Sequence, residues 1–256
     1  MVSVFREIGQ WIPGVFLLSV RIAAAMATLP APFGGGSLVA VRAAFGVMVA
    51  IVLGVAADVR DAVPLDPFAL AFAALSETLL GIAIGLVARA AIASAEAAGE
   101  LAGGAIGMGF ASTFDPSSGE DKQLPAAVLG GISMLLFLSL GGHHMVLSGL
   151  AASVRLAPPG AAFGALSGDA IVALGGRVIA DGLRLASPIL ATMLGVQVGI
   201  AIVARSASRI QIFPLSFAAA SAIGFSLLAL AAPAIVESVG VLIGQVPERL
   251  GELLGG

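Results

Sequence analysis

Long, almost uncharged apolar runs dominate this sequence, and they leave it few possible folds. A helix that crosses a bilayer needs about 20 mostly apolar residues. Runs of that kind lie at Ile12–Leu29, Leu38–Ala57, Phe68–Ala88, Leu124–Leu140, Ser187–Ala204 and Ile212–Ile235. Two further stretches, Ala90–Phe114 and His143–Val154, are rich in small residues and less uniform. In hydrocarbon every backbone N–H and C=O must be paired within the protein, which leaves helices and closed barrels. Barrel strands show alternating hydrophobicity over about ten residues. These runs are continuous and rich in Ala and Leu. They predict an all-α, polytopic membrane protein with its helices packed as hairpins, in a single membrane-embedded domain over residues 1–256.

Composition removes the main alternatives. Hydrophobic residues make up 59% of the chain and charged residues 11%, where soluble domains carry roughly 25% charged. A compact soluble domain of 256 residues needs more polar groups to cover its surface. A disordered chain needs low hydrophobicity. The net charge of −3 offers no electrostatic footprint for nucleic acid. The sequence has no cysteine, so disulfides, thiolate metal sites and cysteine catalysis are absent. At the N-terminus, Arg6 followed by the apolar stretch Trp11–Val20 has features of a signal peptide. Glu7 beside Arg6, and Arg21 closing the run, favour a retained first membrane segment. There is no fixed-period repeat.

Several charges fall inside or beside apolar runs: Arg21, Glu77, Arg89, Glu96, Glu100, Asp181 and Arg184. Each costs about 2.5–3.5 kcal/mol on insertion scales, so they should face protein or water. Glu77, Arg89, Glu96 and Glu100 are the candidate buried charges. Glu96 and Glu100 are four apart on one helical face, where like charges repel. That face should meet water or a cationic partner, unless this segment lies partly outside the bilayer.

Glycine spacing carries a second signal. Gly81 and Gly85 are four apart, with Glu77 one turn before them, and Gly99, Gly103 and Gly107 repeat the interval. Small residues at every fourth position leave a groove that another helix backbone can enter. These glycines are therefore candidate helix-packing positions, although glycine and alanine are abundant throughout. The segment Gly103–Phe114 is apolar but too glycine-rich for a stable lipid-facing helix. It reads as a helix end packed into the core, or as an apolar obstruction in a pore built on Met108, Phe110 and Phe114. His143 and His144 are adjacent and cannot chelate as an i,i+4 pair would. No Asp or Glu lies within ten residues of them, so a structural role outweighs a catalytic one. No phosphate loop, Ser/His/Asp grouping or HExxH pattern is present. The residues point to no enzyme, no metal site and no cofactor.

The stretch Ala98-Gly99-Glu100 through Gly107-Met108-Gly109-Phe110, then Phe114-Asp115-Pro116-Ser117-Ser118-Gly119, resembles the FliR family of flagellar type III export proteins. The resemblance continues through Leu136-Phe137-Leu138, Gly141-Gly142-His143-His144, Ser153 and Pro158. Upstream, Arg21, Pro30, Pro32-Phe33-Gly34 and Arg42 are similar to the family's N-terminal pattern, as Glu77 with Gly81 and Gly85 is to its next helix. Pro188 and the stretch from Arg205 to Phe213 align with its late motif. The sequence departs from the family in lacking a proline shortly before Arg42. It also has Ser208-Arg209 in place of Pro-Gln, and Gln211 in place of Asn.

The resemblance implies a subunit of a hetero-oligomeric helical export gate in the bacterial inner membrane, at the flagellar basal body. It implies FliP-like and FliQ-like partners in the gate, associated FlhB-like and FlhA-like proteins, and passage of unfolded export substrates. The family's plug loop matches Gly104–Lys122. Phe110 and Phe114 are then the candidate blocking side chains with Met108 beside them, and Gly104, Gly107 and Gly109 are candidate hinges. In such an assembly some apolar runs are buried against sister subunits rather than lipid. The injectisome homologues (the SctT group) are one alternative. A small-solute secondary transporter is another, but that reading expects inverted repeats, and none is evident.

Overall fold

A computed structural model of the chain describes residues 2–29, 39–59, 66–108, 123–165, 167–206 and 212–255. All regular structure among them is helical. In chain order the helices are α1 (Val2–Thr28), α2 (Val39–Ala57), α3 (Pro67–Ile106), α4 (Leu124–Ser139) and α5 (Gly142–Leu156). A 3-10 turn at Ala162–Ala165 precedes α6 (Gly168–Ser206), α7 (Ile212–Gly244) and α8 (Val246–Leu253). Among the described residues, four helical stretches are long and apolar enough to cross a bilayer. The count is five if α4 and α5, which bend by 64° at their junction, form one broken span. The protein is thus an all-α, polytopic membrane protein.

Two boundaries differ from expectation. The small-residue stretch from Ala90 is not a separate segment, because α3 runs unbroken for 40 residues to Ile106. Glycine inside a helix costs about 1 kcal/mol relative to alanine. Here Gly99 and Gly103 face α4 so closely that a Cβ would strike the Ala126 backbone and the Gln123 side chain. Tertiary contact outweighs propensity. The second difference is at the apolar run Ser187–Ala204, which is the latter part of a longer helix: α6 begins at Gly168, with Asp169 in its first turn. An acid there suits the positive end of the helix dipole.

Packing divides the chain into two compact units, one of residues 1–90, 138–174 and 243–256, the other of residues 91–137 and 175–242. In the first, Gly46 of α2 meets Ile22 and Ala23 of α1, while Gly54 meets Val15 and Leu18. The two helices therefore run antiparallel. Leu17, Leu18, Ile22, Leu80 and Ile84 are fully buried there, each worth about 1.5–3 kcal/mol of transfer free energy. The short helix α8 turns Val246, Leu250 and Leu253 inward, and Leu250 lies on Gly149 of α5.

In the second unit the end of α3 is the central element. Gly182 of α6 lies on Ser94 and Ala97, Gly224 of α7 lies on Ile106, and Gly99 lies on α4. Ala95, Ala98, Ala102, Ile106, Leu129 and Met193 form its core. The outward faces of both units are greasy. α2 exposes Val41, Phe45, Met48, Val52 and Val55, and α6 exposes Leu194, Val198 and Ile202. Soluble proteins rarely leave such stripes bare.

Candidate functional site

The sequence concentrates its unusual residues where α3 ends and α4 begins, within the second unit. α3 stops at Gly107, whose φ of 97° lies in the left-handed region that glycine enters without penalty. Its N–H donates to the Gly104 carbonyl at 3.1 Å, and the Met108 N–H donates to the Gly103 carbonyl at 2.9 Å. This pair of bonds is a Schellman stop, which satisfies carbonyls that a helix end otherwise leaves free. Gln197 of α6 satisfies another: its Nε2 donates to the Ala105 carbonyl at 2.9 Å. Beside the stop, Ile106, Gly107, Gln197, Ile200 and Phe217 help to line a cavity of about 190 Å³.

The chain re-enters at Gln123. Its N–H donates to Oε1 of Glu100 at 3.2 Å, which puts a carboxylate at the N-terminus of α4, where the helix dipole favours it. Oε1 of Gln123 is buried beside Gly103 without a hydrogen-bond partner. Glu96, one turn before Glu100, lays its carboxyl along Gly130 of α4, so that a Cβ there would come within 2.9 Å of Oε1. The acidic face thus meets α4, where the Gln123 N–H at the helix start donates to Glu100 and Gly130 leaves room for Glu96. The Glu100–Gln123 hydrogen bond ties the late turns of α3 to the start of α4.

Among the predicted residues, Gly109, Phe110 and Phe114 lie outside the described residues. Met108 is half-buried directly after the stop. Gly104, expected as a loop hinge, is in the last turn of α3 with nothing within 4 Å of its Cβ position, whereas Gly107 is the stop itself. Arg89, expected among the buried charges, is exposed, and Glu96 and Glu100 are half-buried. Asp181 and Arg184 pair at 3.5 Å, with Arg184 largely in the open. His143 and His144 lie in the first turn of α5 with ring centroids 4.2 Å apart and ring planes tilted by 41°. Both are exposed. Among the described residues no group of three His, Cys, Asp or Glu side chains is placed to hold a metal.

Glu77 is fully buried, in the first unit, and so is Arg21. Arg21 Nε donates to Glu77 Oε2 at 2.5 Å. One terminal nitrogen donates to Ser153 Oγ at 3.1 Å and the other to the Ala157 carbonyl at 2.9 Å. Glu77 Oε1 accepts the Gly160 N–H at 2.8 Å. The Ser153 hydroxyl in turn donates to the Leu150 carbonyl at 2.7 Å. α1 reaches this knot through glycine: a Cβ at Gly81 would meet the Arg21 carbonyl and Ala24, and one at Gly85 would meet Thr28 and the Ala25 carbonyl.

Sequence reasoning marked Arg21 as a charge out of place but did not pair it, since its partner is 56 residues away. It also passed over Gln123 and Gln197. Gln197 is the one amide in the apolar run Ser187–Ala204, and a lone amide in such a run is the signal that would have found it.

The sequence matches the family described as bacterial export proteins, family 1, over residues 12–246. It is 31% identical to the flagellar biosynthetic protein FliR of Pectobacterium carotovorum subsp. carotovorum, across 96% of this chain and 94% of that one. The corresponding protein of Escherichia coli (strain K12) is 27% identical over the same shares. That of Bacillus subtilis (strain 168) is 24% identical, over 94% of this chain and 95% of that one.

Proposed function

The chain belongs to the bacterial export proteins, family 1, and from that membership we propose that it is a core subunit of the flagellar type III protein export gate, lying in the bacterial inner membrane. The observation that carries this reading is similarity to flagellar biosynthetic proteins along nearly the whole chain. The exposed apolar faces of α2 and α6 support it, because a subunit that nests among others needs such faces. FliP-like and FliQ-like subunits are the expected neighbours, with FlhB-like and FlhA-like proteins alongside and unfolded flagellar proteins as the cargo.

Within this reading the segment between Gly107 and Gln123 is the plug. Met108, Phe110 and Phe114 supply the apolar surface that closes the conduit by dewetting. The stop at Gly107 and the Glu100–Gln123 bond anchor the two ends, while Gly107 and Gly109 are the hinge positions. The F110A/F114A variant tests it in cells that carry the partner subunits. The expected result is an ion leak with export retained. Unchanged membrane conductance would remove the plug assignment, and unchanged export in cells lacking the whole chain would remove the gate reading.

A further inference from the structure

A buried ion pair is a weak source of stability. Desolvation offsets most of its attraction, and size-matched apolar residues often serve as well. The Arg21–Glu77 pair is nonetheless fully committed. Three nitrogens of Arg21 reach three different acceptors, and the two oxygens of Glu77 reach two different donors. Those partners sit on α3, on α5 and in the turn after it, so only one axial setting of α1 satisfies them all.

At its two glycine positions the α1–α3 contact lacks that selectivity. Gly81 faces Arg21 and Ala24, and Gly85 faces Ala25 and Thr28. A slide of one turn, about 5.4 Å, would put Gly81 on the Ala25–Thr28 surface that Gly85 now occupies. Smooth small-residue faces allow close approach but do not choose a register. We propose that the Arg21–Glu77 knot is a register lock, which selects one axial position of α1 on α3 rather than adding net stability.

The test uses the full chain, produced in a bacterial membrane. The sequence has no native cysteine, so spin labels at Ile12→Cys and Leu86→Cys, both exposed positions, report the α1–α3 distance cleanly. The parent is expected to give one narrow distance. R21M/E77L is expected to accumulate to the parent's level with its helix content intact, but with a broadened or split distance, the components about one turn (~5.4 Å) apart. A single parent-like distance in R21M/E77L would overturn the lock. Failure of that variant to accumulate would also overturn it, by showing the pair to be a stabiliser. Export of flagellar substrates is scored in the same cells, and this arm alone rests on the export reading. Loss of export with a split distance ties register to the gate. A split distance with undiminished export keeps the lock and counts against the gate reading.

Discussion

A Cβ added at Gly81 would come within 2.9 Å of Ala24 and closer still to the Arg21 carbonyl, whereas Cβ atoms at Gly175, Gly195 and Gly199 would meet nothing within 4 Å. All four glycines sit on helical backbone. Two opposite outcomes follow. Gly195→Ala and Gly199→Ala should stabilise the chain by about 0.5–1 kcal/mol each, through the lower backbone entropy lost on folding. Gly81→Leu should cost about 1–3 kcal/mol by overpacking and push α1 off α3. Thermal unfolding of the purified protein would measure both. Equal effects at Gly81 and Gly195 would mean that α1 does not lie against α3 at that point. The four-residue spacing of Gly81 and Gly85 is visible in the sequence, as is Glu77 one turn before them. What the spacing does not tell is which helix fills the groove. That depends on Arg21, and no local pattern links residues 56 apart.

Helix boundaries were less legible than helix existence, for reasons seen at α3. Glycines at 99, 103, 104 and 107 argue locally against helix, yet α3 continues to Ile106 because Gly99 and Gly103 are packed against α4. The stop falls at Gly107, where the backbone turns left-handed. Gly107→Ala keeps the space but pays about 1–2 kcal/mol for a left-handed Cβ, and Gly107→Asn should cost less, since asparagine tolerates that region. Hydrogen exchange at the amides of residues 107 and 108 would read this directly. About 1–2 kcal/mol corresponds to roughly 5–30-fold faster local opening in the alanine variant. At the other end of the segment, Glu100→Gln should weaken the start of α4 by about 0.3–1 kcal/mol. Its signature is faster exchange confined to the first turn of α4, with the Gly107 amide unaffected. If both variants speed exchange at both ends alike, the two ends are not independently anchored.

At the scale of the molecule, the low charge content marks a membrane protein, because a chain with this few charges cannot clothe itself in water, and the continuous apolar runs mark it as helical. Neither feature announces which apolar faces are internal. α2 and the Ser187–Ala204 stretch of α6 illustrate the gap: both are apolar almost throughout, yet Ala50 of α2 and Met193 of α6 are buried while Val52 and Leu194 stand more than three-fifths exposed. Burial within the chain follows from contacts with α1 and within the second unit, and periodicity does not show when all sides are apolar. The exposed sides make a prediction that separates lipid or protein surroundings from water. Val52→Lys and Leu194→Lys touch no core contact, so in water each would change stability by less than about 0.5 kcal/mol. In hydrocarbon, or pressed against an apolar neighbour, each would cost about 2.5–3.5 kcal/mol. Recovery of the chain from bacterial membranes, compared with Val52→Leu and Leu194→Met as volume-conserving controls, would distinguish the cases. A loss with lysine but not with the controls places both faces against an apolar environment. Full recovery of either lysine variant would mean that its face is wet, and the helix carrying it would then drop out of any account in which it spans the bilayer or nests against a sister subunit.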